Sequence, residues 1–122
     1  MKHNINTFRE YTIFIIQSQI LIAEGLQKPL TLHCVRRYNE VINTCKGISI
    51  PKIIHGFNKK ETIAAQLLQN GFYLSFGASL LNNLSLQKIF RQIPKETFVL
   101  ETDTAEINIE KLYEKAAIIR GI

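Results

Sequence analysis

Short apolar runs alternate with longer amphipathic stretches along the whole chain. Four runs have strand character, at 30–34, 52–56, 72–76 and 97–101; Pro29 opens the first and Pro51 the second. Between them the apolar positions recur at helical spacing. In "KKETIAAQLLQN", Ile63, Ala64, Leu67 and Leu68 share one face, and Gly71 follows as a stop. "YNEVINTCK" and "NLSLQKIFRQI" read as helices, the second ended by Pro94. At the start, Thr7 and Glu10 form a T-x-x-E capping box, predicting a helix from there to about Glu24 with Gly25 ending it. Near the end, Asn108 is placed as an N-cap, with Ile109, Leu112, Tyr113 and Ala116 on the inner face.

Short apolar strands alternating with helices are the pattern of a parallel sheet covered by helices. No low-complexity segment or linker interrupts the pattern, so residues 1–122 are expected to form a single domain. The chain begins with a helix and offers four strands, whereas a closed (β/α)₈ barrel needs eight and typically about 250 residues. An open sheet of the flavodoxin sort is the alternative, but no Gly-rich phosphate loop follows the first strand.

Composition narrows the class. With 46% hydrophobic and 20% charged residues in 122, the chain resembles a globular protein and not a disordered tail. The net charge of +5 permits a polyanionic partner without demanding one, because the positive residues are dispersed. Cys34 and Cys45 form neither a disulfide framework nor a zinc-finger spacing, and read as small buried residues of a reducing cytoplasm. "YTIFIIQSQILIA" is broken by Gln17, Ser18 and Gln19 and falls short of the roughly 20 apolar residues a membrane span needs. A cytoplasmic protein with no membrane partner is expected.

In a parallel sheet, side chains at the carboxyl ends of the strands gather at one rim, where ligands bind. His33 lies late in the first strand, His55 late in the second and Ser75 late in the third, while Asp103 follows the fourth in "LETDT". Two neutral imidazoles and a carboxylate are ligand types for zinc, manganese or another divalent ion. Such an ion lowers the pKa of a bound water to about 7 and polarises a phosphoryl oxygen. A lone strand histidine is more often a satisfied core residue; two at equivalent strand ends favour ligands. Glu101 reads either as a hydrogen-bond partner behind the ligands or as an outward charge. Arg36 and Arg37 suit either a phosphate grip at the mouth of the site or a solvated helix start. Lys59 and Lys60 read as an exposed helix start.

Three blocks, "KPLTLHCVRRYNEVI", "IIHGFNKKETIAAQLLQNGFYLSFG" and "FVLETD", in this order and spacing resemble the TatD family of metal-dependent deoxyribonucleases. The resemblance implies an α/β fold that is part of a TIM-type barrel: four parallel strands with covering helices, corresponding to the C-terminal half. It implies that His33 and His55 are metal ligands and that Asp103 binds metal and helps activate water. One or two divalent ions (Mg, Mn or Zn) would serve as cofactor, with DNA or another phosphodiester as substrate. Arg36 and Ser75 are then candidate substrate contacts, and Glu101 supports a ligand from behind.

The departures also carry expectations. The family's His-x-His on its first strand and its bridging glutamate on the fourth have no counterpart here, and His3 stands without a His-x-His partner. After Asp103 come Thr104 and Ala105, where the family often has a small residue and a proline. The chain is thus expected to be a gene fragment or truncated paralogue: a hydrolase part, weak or inactive alone, completed by an N-terminal half or a homo-oligomer. The alternative is a non-catalytic protein acting through oligomerisation or partner binding. Residual metal-dependent activity, or a metal-free dimer, would separate the two.

Overall fold

The computed structural model of the chain describes residues 5–33, 38–102 and 108–122. Strands β1 (Leu30–His33), β2 (Lys52–His55), β3 (Phe72–Phe76) and β4 (Phe98–Leu100) form one sheet in the order β1-β2-β3-β4, every neighbouring pair parallel. Around it run α1 (Ile5–Leu26), α2 (Tyr38–Thr44), α3 (Glu61–Gln69), α4 (Leu84–Gln92) and α5 (Ile109–Arg120). Short 3₁₀ turns occupy Ala78–Leu81 and Lys95–Thr97. The fold is α/β, as the alternation of runs predicts.

The pleat divides each strand between two environments. Leu30, Leu32, Ile54, Phe72, Leu74 and Phe76 point into one core with Ile16 and Ile20 of α1, Val41 of α2, Leu67 of α3, Phe90 of α4 and Leu112 of α5. The alternate positions face the other way: Thr31, His33, Tyr73 and Val99 are exposed, and Ile53 and His55 half-buried. Ser75 is the exception there, being buried. Among the described residues, then, the helices cover one face of the sheet and leave the other open. Parallel sheets are ordinarily covered on both faces.

An aromatic chain fastens the β4 side. Phe57, Phe76, Phe90 and Phe98 meet edge to face at centroid separations of 5.9, 5.0 and 4.5 Å. Such contacts are worth about 0.5–1.5 kcal/mol each beyond area burial. The Arg120 guanidinium lies 5.0 Å from the Phe98 ring and donates to the carbonyls of Phe90 and Ile93 at 2.6 and 2.9 Å. This ties the end of α5 to the end of α4. At the amino end of β2, Lys52 is buried, donating to the Asn70 carbonyl at 3.2 Å behind α3, where a cation complements the helix dipole. Cys45 is fully buried, as its sequence context predicts; burial pushes its thiol pKa up, and the Lys52 charge offsets part of that. Cys34 lies outside the described residues.

Three local expectations need correction. The first helix begins at Ile5, so Thr7 lies inside it and not at its start. On α5 the buried side chains are Leu112, Ala116 and Ile119, while Ile109 and Tyr113 are exposed. The inner stripe follows i, i+4, i+7 from Leu112, because Arg120 pins the last turn against α4 and sets the rotation of the helix. The first helix also does not stop at Gly25. It closes at Gln27, whose φ is +53°, with Gln27 N–H donating to the Glu24 carbonyl at 3.1 Å and Lys28 N–H to Ala23 at 3.0 Å.

That is a Schellman closure with glutamine in the left-handed position usually filled by glycine. The same closure ends α5, where Gly121 has φ +76° and Ile122 N–H reaches Ala117 at 2.9 Å. A residue with a Cβ costs about 1–2 kcal/mol in that region. Gln27→Gly should therefore stabilise the chain by about 1 kcal/mol, read as a higher urea midpoint with an unchanged slope.

Candidate functional site

The parallel register sets His33 directly beside His55 as the last residues of adjacent strands. Both project from the open face at the carboxyl end of the sheet, with ring centroids 4.1 Å apart. Ser75 comes to the same end on β3 but is buried, at 3% exposure, so its hydroxyl lies beneath the rim. Arg36, Arg37 and Asp103 lie outside the described residues, as does His3.

Glu101 is where tertiary structure adds most. The residue follows β4, yet its backbone still pairs with β3, Glu101 N–H donating to the Phe76 carbonyl at 2.9 Å. Its side chain crosses the end of β3 and reaches β2, two strands away. There Oε2 engages Nδ1 of His55, and Oε1 accepts the Gly56 N–H at 2.6 Å. Of the two roles the sequence leaves open, the carboxylate takes the hydrogen-bonding one. The outward-facing reading does not hold.

Two glycines flank this bridge. Gly56 has φ +60°, a left-handed conformation that aims its N–H at the carboxylate. Gly77 ends β3 under the crossing side chain; a Cβ there would stand 3.4 Å from the Glu101 carbonyl oxygen and 3.5 Å from its Cγ. A methyl group just fits, and a branched side chain does not. Reading the sequence alone gave neither glycine a role, although "HGF" and "SFG" carry the signal.

The chemistry of this arrangement suits a cation. A neutral imidazole that donates Nδ1–H to a carboxylate keeps its lone pair on Nε2 and has its ring orientation fixed, the usual situation of a metal-binding histidine. Two imidazoles are too few to close a tetrahedral site. Among the described residues, no three of His, Cys, Asp or Glu converge to hold an ion, Glu101 being engaged with His55 and Gly56. The donor types fit a divalent metal, and the described donors alone do not complete its shell.

Replacing Gly77 with valine should push Glu101 off His55, while Gly77→Ala leaves the bridge intact. Nitrogen-15 spectra of the imidazoles should show His55 as the Nδ1–H tautomer in the unmodified chain and in Gly77→Ala. In Gly77→Val and Glu101→Ala the tautomers should mix, and Glu101→Ala should also lose about 1 kcal/mol of stability.

Comparison with known proteins agrees with the geometry. The family model described as "TatD related DNase" matches residues 2–115. The tatdn3 protein of Danio rerio is 29% identical over 109 residues, covering 88% of this chain and 41% of that protein. The deoxyribonuclease TATDN3 of Homo sapiens is 26% identical over 98 residues, covering 80% of this chain and 36% of that protein. An uncharacterised metal-dependent hydrolase of Buchnera aphidicola is 30% identical over 98 residues, covering 72% of this chain and 35% of that protein. The crystal structure of a TatD-family hydrolase from Entamoeba histolytica superposes with a TM-score of 0.60 at 22% identity, over 69% of this chain and 29% of that one. That likeness establishes the fold. The chain spans about two fifths of the length of the curated relatives it matches, or somewhat less.

Proposed function

The chain belongs to the TatD related DNase family, and from that premise we propose that its histidine rim is part of a divalent-metal centre that hydrolyses phosphodiester bonds, with DNA as the substrate. The observation that carries this reading is the pair His33 and His55 at one strand end, with Glu101 behind the second ring. In this assignment His33 and His55 supply neutral nitrogen ligands. Asp103, two residues beyond Glu101, supplies a carboxylate ligand and accepts the proton of the attacking water. Glu101 holds His55 in the ligating tautomer. Arg36 contacts a substrate phosphate; Ser75, being buried, contributes at most through the floor of the site. A bound divalent ion would acidify water and polarise the phosphoryl oxygen.

The family's other ligands, the His-x-His pair and the bridging glutamate, are not in these 122 residues. The isolated chain should therefore hold metal weakly, because a site short of ligands retains its ion poorly, and should cleave DNA slowly or not at all. Titration with Co(II), followed by its ligand-field absorption, should show binding that disappears in His55→Ala. In Glu101→Gln binding should weaken by about 10- to 100-fold. No difference between these variants and the unmodified chain would remove the metal assignment. Vigorous Mg- or Mn-dependent DNA cleavage, abolished by His55→Ala, would instead show the described half to be sufficient.

One observation favours a second reading. Among the described residues the sheet has an open face and two unpaired edges, β1 and β4, which invite association. A non-catalytic role through oligomerisation or partner binding would show as a monodisperse dimer in size-exclusion chromatography, unaffected by divalent metal. Compaction on adding metal favours the catalytic reading.

A further inference from the structure

Lys59, Lys60 and Lys88 line one cavity of about 360 Å³, although Lys88 lies on α4 and the other two precede α3. Asn58, Asn83 and Ser85 share its wall, and Glu61 is its single carboxylate. The Asn83 side-chain oxygen is already used, accepting the Leu86 N–H at 3.0 Å. Among the described residues, no carboxylate lies within ion-pair distance of any of the three lysines. Donors thus greatly outnumber acceptors. The lining therefore carries a net positive charge, which favours an anion over a cation.

The cavity is fixed in place relative to the histidines. His55 ends β2, and Phe57, two residues on, is buried with its N–H donating to the Ser75 carbonyl at 2.8 Å. The loop from the rim to Lys59 therefore has a set path. Asn83 and Ser85 follow the turn that leaves β3. The cavity opens from the loops after β2 and β3, at the same end of the sheet as His33 and His55.

We propose that this lysine cavity seats a backbone phosphate of the nucleic-acid strand whose phosphodiester is held at the histidine rim. The proposal rests on the phosphodiesterase reading of that rim and adds the surface that positions the substrate. Lysine contacts of this kind bind phosphates without reading sequence and confer salt dependence.

The test uses the full chain and a fluorescein-labelled single-stranded DNA oligonucleotide, followed by anisotropy in EDTA so that no metal takes part. The variant K59Q/K60Q/K88Q is compared with K28Q/K46Q/K95Q, which removes the same charge from exposed lysines in the segments leading into β1, β2 and β4, at the opposite end of the sheet. Circular dichroism checks that both remain folded. The cavity variant should lose about tenfold or more in affinity, and its dependence of log affinity on log salt should flatten by about 0.7 per lysine removed. The opposite-end variant should keep most of both. Equal losses in the two variants, no loss in the cavity variant, or no binding by the unmodified chain would each overturn the proposal. Co(II) binding is followed in the cavity variant too: K59Q/K60Q/K88Q should keep it while losing the oligonucleotide, so failure of the metal centre and failure of the lysine cavity are separately visible.

Discussion

The carboxylate of Glu101 spans the end of the sheet, and the candidate site depends on that span. One oxygen engages Nδ1 of His55 and the other accepts the Gly56 N–H, tying the end of β4 to the end of β2 across β3. The crossing runs close over Gly77, just beyond β3, where a Cβ would already be in van der Waals contact with Glu101. The aromatic chain from Phe57 to Phe98, with Arg120 stacked on its last ring, holds β4 in register for the reach. Orientation of His55 is therefore decided by a strand two places away.

The open face follows from the same sheet. Its helix-covered side is fully apolar but for Lys52, while the other side carries Thr31, Ile53, Tyr73 and Val99 beneath the histidine rim. Those residue types are suited to an interior, yet among the described residues no helix covers them. In the barrel architecture of the family, that face would line the inside. The rim and the open face thus lie on one side of the sheet.

Among the described residues no helix is long and apolar enough to cross a bilayer. Helix α1 comes nearest in length, yet Ile16, Ile20 and Ala23 are spent on the core against β1. Its exposed Phe14, Leu21, Ile22 and Leu26 form a second stripe, for which nothing in the structure shows a covering partner.

By itself the sequence determined the order of elements, the parallel sheet and the strand-end placement of His33 and His55. Those features rest on local periodicity and on proline, glycine and asparagine punctuation, which act over a few residues. The tertiary structure alone decided which way Glu101 turns, what Gly56 and Gly77 are for, and how far α5 is rotated. It also decided that Lys88 joins Lys59 and Lys60. Each of these depends on residues tens of positions apart meeting across strands or between helices, a distance over which hydrophobic periodicity carries no information. The first helix shows the same limit at close range, where a capping box at Thr7 was overridden and a glutamine took the left-handed turn in place of the nearby glycine. Packing of α1 against β1 sets where that helix must turn, and local preference yields to it.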